Sequence, residues 1–200
     1  MDLLTPVPAR PVSSIGILPG SFHPVTRAHV ALGAAALAHV ELVLFTMPRR
    51  FPHKEYEAVG LDDRLALVIA ATRAEPRFAV AISEGGLFIE MAREVRVLFP
   101  SSDTPWLICG RDAAERIVGW DYGEHDSIDA QLREYGLLVA ARQGSYRPPE
   151  RLGERVRELA MPPDWDAVSA TEVRHRIAQG GDWRELVPAE VSGEVERLYG

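Results

Sequence analysis

Short apolar runs recur along this chain, and nearly every one is followed by a stretch that reads as a helix. Residues 14–18 fit a buried strand, and so do 40–46, 78–83, 106–109 and 137–141. Between them lie helical segments at 26–39, 61–74, 87–98 and from about Asp112 onward. Thr26 is a candidate N-cap, and Asp62 and Asp63 fall in a first turn, where the helix dipole favours carboxylates. Further on, 150–159 is predicted as a helix, Ala167 and Val168 as the end of a sixth strand, and 171–178 and 189–198 as helices. Strands that are almost continuously apolar are buried on both faces, and strand–helix alternation makes their neighbours parallel. The expected class is α/β: a doubly wound, mostly parallel, Rossmann-like sheet with helices on both faces and a small C-terminal helical part. Residues 1–13, broken by Pro6, Pro8 and Pro11, are expected as a flexible lead-in, with 14–200 as one domain.

Ligands of such folds bind beyond the carboxyl ends of the strands, where the strand order reverses. Composition narrows what those ligands are. The net charge of −7 argues against a nonspecific nucleic-acid coat. Cys109 is the only cysteine, which excludes an internal disulfide and Cys-rich zinc modules. No His, Cys and Asp cluster has the spacing of a protein-bound metal site. No run of about 20 apolar residues is available to span a bilayer, and the first residues lack the apolar core of a secretory signal. The expectation is a reduced, soluble, cytoplasmic protein with neither nucleic acid nor membrane as a partner, although a local basic patch stays open, and compatible with a homo-oligomer. Lys54 stands out as the only lysine in a chain that otherwise uses arginine.

The segment after the first strand, Gly20-Ser-Phe-His-Pro-Val-Thr-Arg-Ala-His29, runs into a helix start. Gly20 permits close backbone approach. Thr26 and His29, three residues apart, can face the same helix end, where unpaired N–H groups and the dipole suit a phosphate. An imidazole there can donate a hydrogen bond without acting as a base, and His23 is another donor. Read alone, the segment equally fits a glycine turn with a capping threonine. It lacks both the three-glycine dinucleotide pattern and the Gly-Lys-Ser/Thr of a Walker loop.

These residues resemble the first signature of the nucleotidylyltransferase superfamily, a Gly-x-Phe-x-Pro segment leading into His/Thr-x-Gly-His. Ser169-Ala-Thr171-Glu-Val-Arg174 resembles the second, Ser-x-Thr-x-x-Arg, in the correct order and again opening a helix. Within the superfamily the chain looks most like the nicotinate/nicotinamide mononucleotide adenylyltransferases. Pro52-His53-Lys54, Asp63-Arg64-Leu65, Gly110-Arg-Asp112 with downstream Trp120, Leu186-Val-Pro188 and Leu198-Tyr199 all match their pattern. The likeness covers about residues 14–199. It departs at Ala28, where the family usually has Gly, at His23, where Asp or Asn is common, and at 84–92, which lack a Ser-Tyr-Thr stretch.

The resemblance implies transfer of the adenylyl group of ATP to a pyridine mononucleotide, with release of pyrophosphate and the assistance of Mg2+. The attacking phosphate is already anionic, so the site must hold two polyanions together and stabilise charge on the leaving group. His29, Thr26 and Arg174 would carry the transfer, the arginine by its planar fork. Gly20, Ser21, Phe22, His23, Ser169 and Thr171 would cradle ATP, and Gly110 and Asp112 a ribose. His53, Lys54 and Trp120 would meet the acceptor, the tryptophan by stacking on a pyridine ring. Trp106, Trp165 and Trp183 read as packing residues. Two alternatives stay open: the same chemistry on another acceptor, of phosphopantetheine type or with CTP, and a non-catalytic nucleotide sensor.

Overall fold

In the computed structural model, residues 1–50, 59–119, 127–141, 146–161, 163–165 and 167–200 are described. Seven strands form one sheet: β1 (Asp2–Leu3), β2 (Ile15–Pro19), β3 (Leu42–Pro48), β4 (Phe78–Ser83), β5 (Trp106–Gly110), β6 (Gly136–Ala140) and β7 (Val156–Leu159). Their spatial order is β1-β4-β3-β2-β5-β6-β7, and only the β1–β4 pair is antiparallel. The parallel strands thus run outward in both directions from β2, and the order reverses between β2 and β5.

The period of two along each strand divides the core. Val43, Phe45 and Met47 of β3, with Val80 and Ile82 of β4, face one layer; Leu42, Leu44, Leu107, Leu137 and Val139 face the other. On the first face lie α1 (Arg27–Ala36), α2 (Leu61–Thr72), α6 (Ala170–Ala178) and α7 (Ser192–Tyr199). The second is covered by α3 (Phe88–Leu98), α4 (Arg111–Gly119) and α5 (Ile128–Gln131). This is the doubly wound α/β architecture expected from the alternation. It follows from right-handed crossovers that build one half of the sheet and then switch face to build the other.

The predicted helix over 150–159 is not formed. A 3-10 turn, Glu150–Leu152, leads instead into β7, which pairs in parallel with β6 from Leu137↔Val156 to Ala140↔Leu159. Arg and Glu favour helices locally, yet Val156 and Leu159 are buried while Arg157 and Glu158 project from an edge strand. Backbone pairing with β6 outweighs local propensity here. The sixth parallel strand is therefore 156–159, and Ala167-Val168 forms no strand; Val168 is a buried residue just ahead of the α6 cap. A 3-10 turn, Ala189–Val191, also precedes α7.

The lead-in 1–13, expected to be loose because of its prolines, is docked along the sheet. Asp2 and Leu3 pair with Ile82 and Ala81, the Thr5 hydroxyl accepts from Val80 N–H at 2.9 Å, and Asp103 N–H donates to the Ser13 carbonyl. Prolines lack one donor each, but the residues between them still offer theirs.

Close packing of α1 on the sheet depends on Gly33. A Cβ there would lie 2.7 Å from Phe45 Cζ and 3.2 Å from Phe78 Cζ, two rings that meet edge to face. Gly33→Val is expected to destabilise the chain by about 1–3 kcal/mol through overpacking, read as a lower urea midpoint with an unchanged slope.

Candidate active site

The reversal between β2 and β5 separates the starts of α1 and α4 and leaves a cleft of about 460 Å3. Its wall includes Ala28 and Leu32 of α1, Gly110 and Asp112 at the start of α4, and Met161 and Trp165. A Cβ on Gly110 would meet nothing within 4 Å, so the backbone there is open to the cleft.

The turn after β2 is fixed from beneath. Gly20 N–H donates to the Thr46 carbonyl at 3.1 Å, and a Cβ on Gly20 would lie 2.8 Å from Phe22 Cζ. Glycine is thus required here by the Phe22 ring folded under the turn. Phe22 itself has φ +42°, a left-handed conformation unfavourable for a bulky side chain. Burial of its ring against Phe45, with centroids 5.9 Å apart, and edge-on to His29, at 5.1 Å, over-determines that conformation.

Thr26 is the N-cap residue of α1, as the sequence suggested. Its backbone N–H donates to His29 Nδ1 at 3.0 Å, and its hydroxyl lies 2.8 Å from the same nitrogen. Because an amide can only donate, Nδ1 is the acceptor, and the proton of the neutral ring sits on Nε2. His29 is half-buried and is therefore held as an Nε2–H donor at a helix N-terminus.

The second motif reaches the first. Ser169 caps α6, its Oγ accepting from Glu172 N–H at 3.1 Å. One turn on, Arg174 donates Nη1 to the His23 carbonyl and, at 3.2 Å, to that of Ala170, while Nη2 lies 3.4 Å from the Thr171 hydroxyl. All three partners are neutral oxygens, which orient the fork without cancelling its charge.

Arg64, which the sequence reading matched to a family pattern but gave no site role, is a second guanidinium under the same turn. It is 3% exposed and donates to the carbonyls of Ser21, at 2.9 Å, and Gly60, at 3.2 Å. Only the tertiary fold reveals it, because Arg64 has an ordinary helix-start context. Trp165, read from sequence as a packing residue, instead walls the cleft, with the Arg27 guanidinium 5.2 Å from its ring centroid. The expected acceptor residues His53, Lys54 and Trp120 lie outside the described residues. Burial pushes the Cys109 thiol up to about 12, which suits a packing residue and not a nucleophile.

His23 lies between the two motifs. Burial first, then the positive charges of Arg174 and Arg64, lower its pKa from 6.5 to about 4. The folded state therefore prefers neutral His23. The resulting stabilisation is complete above pH 6.5 and is lost as pH falls towards 4. The urea midpoint is expected to fall across that window, and His23→Gln to flatten the fall; urea titrations at stepped pH read both.

Similarity to known proteins accords with this geometry. The cytidylyltransferase-like family matches residues 17–176. A Thermus thermophilus protein named "Probable nicotinate-nucleotide adenylyltransferase" is 32% identical over 190 residues, covering 92% of this chain and 96% of its own. One of the same name from Bordetella avium is 33% identical, covering 90% and 94%. The solved Plasmodium falciparum nicotinic acid mononucleotide adenylyltransferase, complexed with NaAD, shares the fold with a TM-score of 0.69 at 15% identity, covering 94% of this chain and 98% of that one. The family match over residues 17–176 and these relatives make the chain a nucleotidyltransferase that belongs to the cytidylyltransferase-like family, among the nicotinate-nucleotide adenylyltransferases.

Proposed function

We propose that this chain transfers the adenylyl group of ATP to nicotinate mononucleotide, forming the dinucleotide and releasing pyrophosphate in NAD biosynthesis. The observation that carries the reading is the contact of Arg174 with the His23 carbonyl, which joins segments 151 residues apart at the strand reversal. It brings a cation on neutral partners within reach of the same turn that positions His29.

The chemistry follows from the donors. An acceptor phosphate oxygen attacks the α-phosphorus of ATP in line, a P–O bond forms, and the bond to the β-phosphate oxygen breaks with pyrophosphate leaving. No base is needed, because the nucleophile is already ionised. His29 Nε2–H donates to a phosphoryl oxygen as charge develops. Arg174 grips the leaving phosphates, with Thr171 and the N–H groups of α6 beside it. Thr26 fixes the His29 tautomer. Asp112, at the cleft, accepts from ribose hydroxyls. His53, Lys54 and Trp120 retain their assignment to the acceptor from the family pattern.

Among the described residues, no group of three or more His, Cys, Asp or Glu side chains is placed to hold a metal ion. Mg2+ in this reading is carried by the triphosphate and water, and supplies charge neutralisation when bound.

The deciding experiment is pyrophosphate release with ATP and Mg2+ in the presence of nicotinate mononucleotide, nicotinamide mononucleotide, phosphopantetheine or no acceptor. Release fastest with nicotinate mononucleotide is expected. Release with phosphopantetheine alone would discard the acceptor, and silence with every acceptor would discard the transfer.

His29→Ala is expected to lower kcat by about 10²-fold or more, as does loss of a preorganised transition-state donor, in a chain that still folds but melts somewhat lower for want of the Thr26 cap contact. Arg174→Lys keeps the charge but loses the fork, so KM for ATP should rise. Wild-type steady-state kinetics in either variant would remove that residue from the site.

A further inference from the structure

The turn at 20–24 is covered from outside by α7. Val191, Val195 and Tyr199 recur at four-residue spacing, and the two valines are buried in the layer that also holds Leu65 and Val68 of α2. Arg197 reaches Asp63, at the start of α2, at 4.0 Å. This docking carries the Tyr199 ring onto His23, edge to face, with centroids 5.1 Å apart and planes at 63°. The Tyr199 hydroxyl is buried and has no hydrogen-bond partner among the described residues. What joins the two residues is therefore the ring and not the hydroxyl.

We propose that Tyr199 is a positioning residue for the phosphate-binding turn: its ring seals the His23 imidazole beside Arg64 and Arg174, and so fixes the carbonyl that orients the Arg174 guanidinium. The inference rests on the reading of Arg174 as a phosphate ligand. His23 carries both the ring that Tyr199 covers and the carbonyl that Arg174 uses, so both contacts bear on one residue of the turn. The charged groups around the pair are Arg64 and Asp63 of α2 and Arg174 of α6. Burial raises the Tyr199 phenol above its ordinary range, so it stays neutral. Burial is also the largest influence that keeps His23 neutral. Without the ring, the imidazole loses the surface it packs against, water enters beside it, and the turn that presents the His23 carbonyl to Arg174 is no longer held from outside.

Tyr199→Ala, Tyr199→Leu and Tyr199→Phe test this in the full chain. Steady-state pyrophosphate release gives KM for ATP and kcat. NMR of the His23 ring protons, assigned by their loss in His23→Gln, gives the midpoint of its titration. Tyr199→Ala is expected to raise KM for ATP about fivefold or more, with a smaller effect on kcat. It should also move the His23 midpoint up from about 4 towards 6.5. Tyr199→Phe should restore both. Tyr199→Leu, which fills the space without an aromatic edge, serves in place of the alanine variant should that one not fold. Wild-type KM with an unmoved midpoint in the alanine or leucine variant would overturn the proposal. So would a phenylalanine variant as impaired as alanine, because the hydroxyl would then be the acting group. If the wild-type chain releases no pyrophosphate, the transfer reading fails by itself. The NMR titration still decides whether Tyr199 governs His23.

Discussion

A parallel sheet buried on both faces must place its crossover helices in two layers, and the molecule depends on the point where the winding changes layer. Between β2 and β5 the chain leaves in opposite directions, so no crossover covers the space beyond their ends. Helix α1 starts on one side of that gap and α4 on the other. Their N-termini carry the partial positive charge of the helix dipole. The cleft is therefore a consequence of topology, and the side chains only specialise it.

Specialisation is achieved largely with carbonyl oxygens. Arg64 and Arg174 are both held by main-chain acceptors around one turn, Ser21 and Gly60 for the first, His23 and Ala170 for the second. The His23 and Ala170 carbonyls and the Thr171 hydroxyl are neutral oxygens, which orient the Arg174 fork without cancelling its charge. The same economy governs His29, whose Nδ1 accepts from a backbone amide and leaves the donor on the other nitrogen. The strained Phe22 and the half-buried His23 sit in the same turn, and both are held by aromatic rings from elsewhere in the fold, Phe45 and Tyr199.

Much of this was legible along the chain. The strand over Phe78–Ser83 coincides with its apolar run, and the helix starts at Thr26 and Ser169 carry capping side chains that local chemistry selects. The signatures around Gly20–His29 and Ser169–Arg174 are contiguous, so the family resemblance can be seen in the sequence. Residues 150–159 read as a helix because Arg and Glu at an edge strand look helical when the partner strand is unseen. Arg64 and Tyr199 match the family pattern but carry no role in the sequence, and Trp165 reads as a packing residue, because their places beside the turn and the cleft depend on distant segments.

The sequence by itself determined the α/β class and the two family motifs. These are local properties: hydrophobic period, capping preference and side-chain chemistry act within a few residues. Only the tertiary structure decided that β7 replaces a helix, that the lead-in docks on the sheet, and that Arg174 rests on the His23 carbonyl with Tyr199 across the imidazole. Each of those is a contact between segments far apart in the chain. Its energy comes from burial and pairing with a partner that local sequence does not specify.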